Sequence, residues 1–325
     1  MKTEGMEILA PGKLVLMGEY AIRHRAPGLV MAVDRLARLR WLTYTRDMQD
    51  DLVSQARFYA AKLLGLGRPS RCSVDSSGFY HDGQKLGLGS SAAVTAVAVA
   101  SVFLEAELDI SDEAQRQKIW AVSKEVHDGF QGMHGSGIDL AASIFGGYLV
   151  MNNGLDNVSP WRFWEIPDGL ELVFCWTGSQ SSTVSLVDAV DRWSMTHEDE
   201  HREIMSDMTD VANRFCNSHL DAVQSLEEID RYGRLMDRLG QACGIGIVTP
   251  MMRDIRLAAM DLGGAAKPSG AGGGDFMVAG FSDFRSCNEF KNVAVRIGAK
   301  LMNFKVCKEG LASRSANHDR IRQER

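Results

Sequence analysis

The chain switches between two hydrophobic periods, and the switches predict a mixed strand-and-helix architecture. Strand-type apolar runs fall at about 7–17, 28–46 and 146–152, the second alternating apolar residues with arginine through Ala32-Val-Asp-Arg-Leu-Ala-Arg-Leu-Arg-Trp-Leu-Thr-Tyr44. Helical periodicity falls at about 50–64, 90–106, 111–127 and 136–145. A turn-rich stretch, Asn152-Asn-Gly-Leu-Asp-Asn-Val-Ser-Pro160, reads as a seam. Beyond it the pattern predicts a strand at 170–176, helices at about 180–194, 198–218, 225–244 and 249–261, and strands at 275–281 and 300–306. The expected organisation is α+β, with one domain over 1–155 and a second over 156–312. Ser313 to Arg325 is polar and basic without apolar periodicity, and is expected to be a disordered tail.

Composition narrows the class. A length of 325 residues is enough for two domains, and 45% hydrophobic with 24% charged residues is the balance of a globular protein. The net charge of −6 argues against a nucleic-acid surface. No apolar run reaches the length of a membrane span, and Lys2, Glu4 and Glu7 occupy the place of a signal-peptide apolar region. Cys72, Cys175, Cys216, Cys243, Cys287 and Cys307 are scattered, with no Cys-x-x-Cys pair, and read as reduced thiols of a cytoplasmic protein. The expected partner is a small molecule, not nucleic acid or membrane. Monomer and homodimer are both left open.

Three segments carry chemistry. Residues 85–93 read Lys-Leu-Gly-Leu-Gly-Ser-Ser-Ala-Ala, and Val94 to Ala106 follow without Gly or Pro. A loop of small residues running into a helix lets backbone N–H groups converge on an anion, with about half a positive charge behind them. Lys85, Gly87, Leu88, Gly89, Ser90, Ser91 and Ala92 are therefore a candidate phosphate cradle. No Gly-Lys-Ser/Thr follows, so the spacing is not that of the P-loop, nor is it the dinucleotide fingerprint. The same letters also make an ordinary Ser-capped helix start. The second segment, Ala10-Pro-Gly-Lys-Leu-Val-Leu-Met-Gly-Glu-Tyr-Ala-Ile22, is an apolar strand with one internal cation, Lys13. That cation needs an anionic partner if buried, or snorkels to water if not. The third, Lys267-Pro-Ser-Gly-Ala-Gly-Gly-Gly-Asp275 before the apolar run Phe276 to Phe281, is a loop able to approach a ligand with bare backbone, or a flexible hairpin loop.

Taken in this order, the segments resemble the three motifs of the GHMP superfamily of small-molecule kinases, over about residues 8 to 281. The resemblance implies an N-terminal ribosomal-protein-S5-like domain, a C-terminal ferredoxin-like domain, an active site in the cleft between them, and ATP with Mg²⁺ as cofactors. Phosphoryl transfer needs the triphosphate held, its charge neutralised and the acceptor placed in line. Ser91, with Ser90 close behind, suits a magnesium ligand. In Gly135-Ser-Gly-Ile-Asp139 the aspartate stands where the superfamily has its catalytic base, though a first-turn Asp also suits the helix dipole. Lys13 is the expected partner of Asp139, keeping it ionised and stabilising charge on the transferring group. An acidic metal ligand eleven residues upstream, as in mevalonate kinases, falls on Asp128, with Glu125 as a rival and an exposed helical acid as the plain alternative.

Four features favour the phosphomevalonate kinase branch. These are Gly18-Glu19-Tyr20, the run His127-Asp-Gly-Phe-Gln-Gly-Met-His-Gly-Ser-Gly-Ile-Asp139, the stretch Trp176-Thr-Gly-Ser-Gln-Ser-Ser-Thr183, and Gly274-Asp275 closing the third motif. The substrate contacts this implies are Glu19, Tyr20, His134, Ser136, Gly137, Ser182, Thr183, Lys267, Ser269, Gly270, Ala271 and Gly272. A phosphorylated alcohol as acceptor needs further cations, for which Lys267, His134, Arg23 and His24 are candidates, the last two reading first as a solvated loop. The stretch from Asp34 to Lys85 is short for the family and leaves contacts to adenosine or acceptor open. A mevalonate kinase, or another superfamily kinase acting on a small alcohol or sugar, is the alternative.

Overall fold

The computed structural model describes residues 5–42, 51–131, 135–152 and 161–315. In chain order its first half runs β1 (Met6–Met17), β2 (Pro27–Trp41), α1 (Asp51–Leu63), β3 (Cys72–Asp75), β4 (Tyr80–His81), β5 (Gln84–Lys85), α2 (Ser90–Glu105), α3 (Glu113–Gln131), α4 (Ile138–Phe145) and β6 (Tyr148–Asn152). The second half runs β7 (Trp161–Phe163), β8 (Glu171–Trp176), α5 (Thr183–Ser194), α6 (Glu198–Asn217), α7 (Ala222–Cys243), α8 (Pro250–Asp261), β9 (Ala265–Ser269), β10 (Phe276–Phe281), α9 (Phe284–Ile297), β11 (Lys300–Met302) and β12 (Ala312–Ser315).

The N-terminal sheet has the order β12-β1-β2-β6-β7, with β3 added on β2. Helix α2 is apolar all round, and its residues from Ala92 to Phe103 are buried, because it packs on the sheet and against α1, α3 and α4. The C-terminal sheet is antiparallel with the order β11-β8-β10-β9. This is the ferredoxin-like arrangement, with the first crossover expanded into α5 to α8 and the second made by α9. Side-chain caps start these outer helices: Ser182 on α5, Asp221 in a capping box with Gln224 on α7, Thr249 before Pro250 on α8, and Asp283 on α9. No helix among the described residues is long and apolar enough to cross a membrane.

The two-domain α+β fold is as the sequence implies, but its bookends differ. The seam expected at 152–160 lies mostly on 153–160, outside the described residues. Strand β7 still pairs with β6, and β12 pairs with β1 through Met6↔Ser315 to Leu9↔Ala312. The N-terminal sheet thus takes strands from beyond residues 155 and 312, and 313–315 are sheet rather than disordered tail. Glu7 explains that return: buried on β1, it accepts from Arg314 Nε at 2.8 Å. Residues 316–325 lie outside the described residues. Strand β9 is a second departure, since Lys267-Pro268-Ser269 belong to a fully buried strand and only 270–274 form the loop.

Candidate active site

The first motif works through its backbone. Strand β1 is bulged at Pro11/Gly12, and a Cβ on Gly12 would lie 2.7 Å from the carbonyl oxygen of Leu88. Glycine there lets the loop before α2 dock, and the Lys13 N–H donates to that Leu88 oxygen at 2.9 Å. Helix α4 is tied to the same bulge by Ser143 Oγ, which donates to Pro11 O at 2.8 Å. Gly87 and Gly89 both have left-handed φ, +71° and +73°. Helices α2 and α4 each begin at a left-handed glycine, Gly89 and Gly137, with no side-chain cap, in contrast to α5, α7, α8 and α9. At α2 the uncapped start keeps N–H donors and the positive end of the dipole, so the residues present there fit a phosphate, whereas at α4 the Ser136 and Asp139 side chains accept from the Ile138 and Leu140 N–H groups.

A cavity of about 200 Å³ lies at the junction of the two domains; the cradle residues 85–92 are not in its lining. Lys13 and Asp139 line it together with Glu19, Tyr20, Ser136, Gly137, Thr183, Gly270 and Ala271, all expected from the sequence. Tyr20 bridges the domains, its hydroxyl donating to Ala271 O at 2.6 Å, and burial pushes its pKa up. Lys13 connects the cavity to the cradle, since a Cβ on Gly89 would meet its Cγ at 3.0 Å. Ser91 accepts or donates a 3.2 Å hydrogen bond with His127 Nε2, and His127 is buried and also lines the cavity. His134 lies outside the described residues.

Other expected residues are placed differently. Lys267 is fully buried: its Nζ donates to Glu19 Oε1 at 2.5 Å and to Pro268 O at 2.7 Å. It is therefore an interior cation and not an acceptor-pocket one. Burial pushes Glu19 up and Lys267 down, each opposed by the attraction of the other. Gly270 N–H also donates to Glu19 Oε1, at 3.3 Å, and Tyr232 Oη donates to Glu19 O at 2.6 Å. Ser269 Oγ donates to Val15 O, a second tie between domains, and Ser182 caps α5; neither lines the cavity. Gly272 packs against Ile247, where a Cβ would lie 2.3 Å from its carbonyl oxygen.

The metal expectations also change. Asp128 lines the cavity, but Lys124 Nζ holds its Oδ2 at 2.6 Å and the Gly135 N–H its Oδ1 at 3.0 Å. Its carboxylate is spoken for by the lysine one turn back. The rival, Glu125, is exposed and hydrogen-bonded to Tyr59 on α1. The ion pair expected between Lys13 and Asp139 is not formed among the described residues. Asp139 Oδ1 accepts from its neighbour Leu140 N–H at 3.0 Å, and the carboxylate that feels Lys13 is Asp275. Sequence reasoning missed this role of Asp275, as it missed that of Asp191. Arg23, in the cavity lining, donates from both terminal nitrogens to Asp191, at 2.7 and 2.9 Å. His24 is not in that lining; its ring meets His201 at 5.0 Å, and burial holds both imidazoles below their usual pKa.

The Gly137 start of α4 lines an interdomain cavity with Lys13 and Asp139, and Lys13 also reaches the Gly89 start of α2, an arrangement that fits a phosphate-binding cleft. Comparison with known proteins agrees. The family model described as GHMP kinases N terminal domain matches residues 71–147, and GHMP kinases C terminal matches 221–293. A phosphomevalonate kinase of Streptomyces is 32% identical over 83% of this chain and 88% of its own length. A mevalonate kinase of Pyrococcus furiosus is 30% identical over 93% and 96%. Among solved structures, a Streptococcus pneumoniae phosphomevalonate kinase in complex with phosphomevalonate and AMPPNP superposes with a TM-score of 0.77, at 18% identity, over 93% of this chain and 99% of that one. The chain belongs to the GHMP kinase family.

Proposed function

We propose that this kinase transfers the γ-phosphoryl group of ATP to the phosphate of 5-phosphomevalonate, giving 5-diphosphomevalonate and ADP in the mevalonate route to isoprenoids. The observation that carries the reading is the half-exposed guanidinium of Arg23 in the same cavity as Lys13 and Asp139. A planar guanidinium suits a bidentate contact to a phosphate monoester. The similarity to the Streptomyces phosphomevalonate kinase supports the same acceptor.

Bound Mg²⁺–ATP supplies the phosphoryl group and a cation that offsets its charge. The N–H groups of residues 87–92 hold the phosphates, and Lys13 faces the charge that develops during transfer. Among the described residues no group of three or more His, Cys, Asp and Glu could hold a metal alone. A magnesium ion accompanying the nucleotide would be held by the oxygens of Ser91 and Asp139 and would offset phosphate charge there. A phosphate monoester has its second pKa near 6, so its attacking oxygen is mostly ionised at neutral pH. Asp139 is then left with the residual proton and with positioning. Arg23 takes the acceptor phosphate, and Asp191 holds its guanidinium oriented until then.

The Pyrococcus relative, matched over 93% of this chain, makes mevalonate phosphorylation the second reading. Coupled ADP release with each acceptor decides between them. The expected kcat/KM for phosphomevalonate exceeds that for mevalonate by about tenfold or more, because a pocket built for a phosphate leaves its cation unpaired without one. The opposite order establishes the mevalonate reading, and ADP release with neither acceptor overturns both.

A further inference from the structure

Asp275 is a carboxylate in a place built for anions. It ends the glycine loop at φ +52°, held there by its N–H donating to Ser179 O and its carbonyl accepting from Thr177 N–H, both at 2.8 Å. That backbone aims the side chain across the domain junction at the phosphate loop. A Cβ on Gly87 would lie 2.3 Å from Asp275 Cγ, and 2.4 and 2.6 Å from its two oxygens. The carboxylate is largely buried, which raises its pKa, while Lys13, the Ser181 N–H and Lys85 pull the other way. It therefore sits in contact with the cradle, near the two lysines of the first and second motifs.

A carboxylate at this position repels any phosphate the cradle holds, and the repulsion grows with the ligand's charge. Free triphosphate carries more negative charge than its magnesium complex. We propose that Asp275 is a positioning residue that makes nucleotide binding depend on the divalent cation, by rejecting the metal-free nucleotide from the Gly87 side of the cradle. This rests on the ATP-dependent reading above.

The test is calorimetric titration of ATP into the whole protein, once with EDTA and once with excess Mg²⁺, for wild type, Asp275→Asn and Asp275→Gly. Both replacements accept a left-handed backbone, so if one fails to fold the other decides. Removing the charge is expected to tighten metal-free ATP binding about tenfold or more, and to leave the magnesium complex within about threefold of wild type. Variants that bind metal-free ATP no better than wild type, or that tighten on both forms equally, overturn the proposal. A wild type that binds neither form overturns the ATP reading itself, and the proposal with it.

Discussion

Glu19–Lys267 and Arg23–Asp191 both fasten the N-terminal domain to the C-terminal one, and both begin in the segment that follows β1. The first pair is in the dry interior, its side chains 2% and 1% exposed; the second is at 35% and 41%. Lys267 spends further bonding on Pro268 O, and Glu19 on the Gly270 N–H, so the buried lysine is committed to an interior network. Stripping water from two charges costs several kcal/mol per ion before attraction repays it, and such a pair is kept for geometry. The outer pair is bidentate yet wet, and exposed pairs contribute about 0–1 kcal/mol. A phosphate dianion can take the place of Asp191 at little cost. One cation thus builds the cleft and the other is free to serve it.

Breaking the inner pair is expected to have the largest effect. Lys267→Met leaves Glu19 charged and alone in the interior, and stability by urea unfolding should fall by about 3–5 kcal/mol. Replacing both residues, with Glu19→Leu added, should recover most of that loss. A Lys267→Met loss below about 1 kcal/mol would place this pair with the solvated ones.

Breaking the outer pair should show in kinetics instead. For Arg23→Ala the unfolding midpoint should hardly move, while KM for phosphomevalonate rises by about tenfold or more. KM for ATP and the weak turnover of mevalonate should stay near wild type. Equal losses with both acceptors would remove Arg23 from phosphate recognition.

Glu7 sharpens the contrast with the smallest effect, since its carboxylate is buried but its partners are exposed. Burial, the largest single influence, pushes its pKa up, yet the hydrogen bonds and charges of Arg314 and Arg40 together hold it below the usual range. A depressed pKa stabilises the fold above the ordinary carboxylate value near 4.3, and that contribution disappears as pH falls through the folded-state value. Because Arg40 and Arg314 are 52% and 35% exposed, the effect should be a few tenths to about 1 kcal/mol. Between neutral pH and about pH 3, wild type should therefore lose slightly more stability than Glu7→Gln. Parallel pH profiles for the two proteins would contradict the pairing.

Some backbone devices were legible in the sequence because they need particular residues. The small residues of 87–92 mark the loop before α2 and Asp139 the first turn of α4, whereas the bulge at Pro11/Gly12 inside an otherwise apolar strand appears only in the structure. Charge pairing was not legible, because the partners lie far apart along the chain, 248 residues in the case of Lys267 and Glu19. A lysine beside a glycine loop looks like a ligand cation until β9 is seen to be buried throughout. The resemblance points to Asp128 as a metal ligand, and that residue lines the cavity, but nothing in the sequence shows that Lys124 holds it. Helix α9 carries a sequence signal of its own, Cys287, Phe290 and Ala294 at helical spacing behind the Asp283 cap, and is an element beyond those the apolar periods predict. The terminal strand β12 could not be read, since its short polar sequence pairs through Arg314 and backbone alone.

The central claim is that the acceptor atom is a phosphate oxygen, and ³¹P NMR of the reaction mixture observes it directly. With ATP, Mg²⁺ and phosphomevalonate, the account expects the acceptor's phosphorus singlet to give way to a pair of mutually coupled doublets from a new P–O–P linkage, as ADP accumulates. A new monoester singlet formed from mevalonate, with the phosphomevalonate signal unchanged under the same conditions, would contradict it.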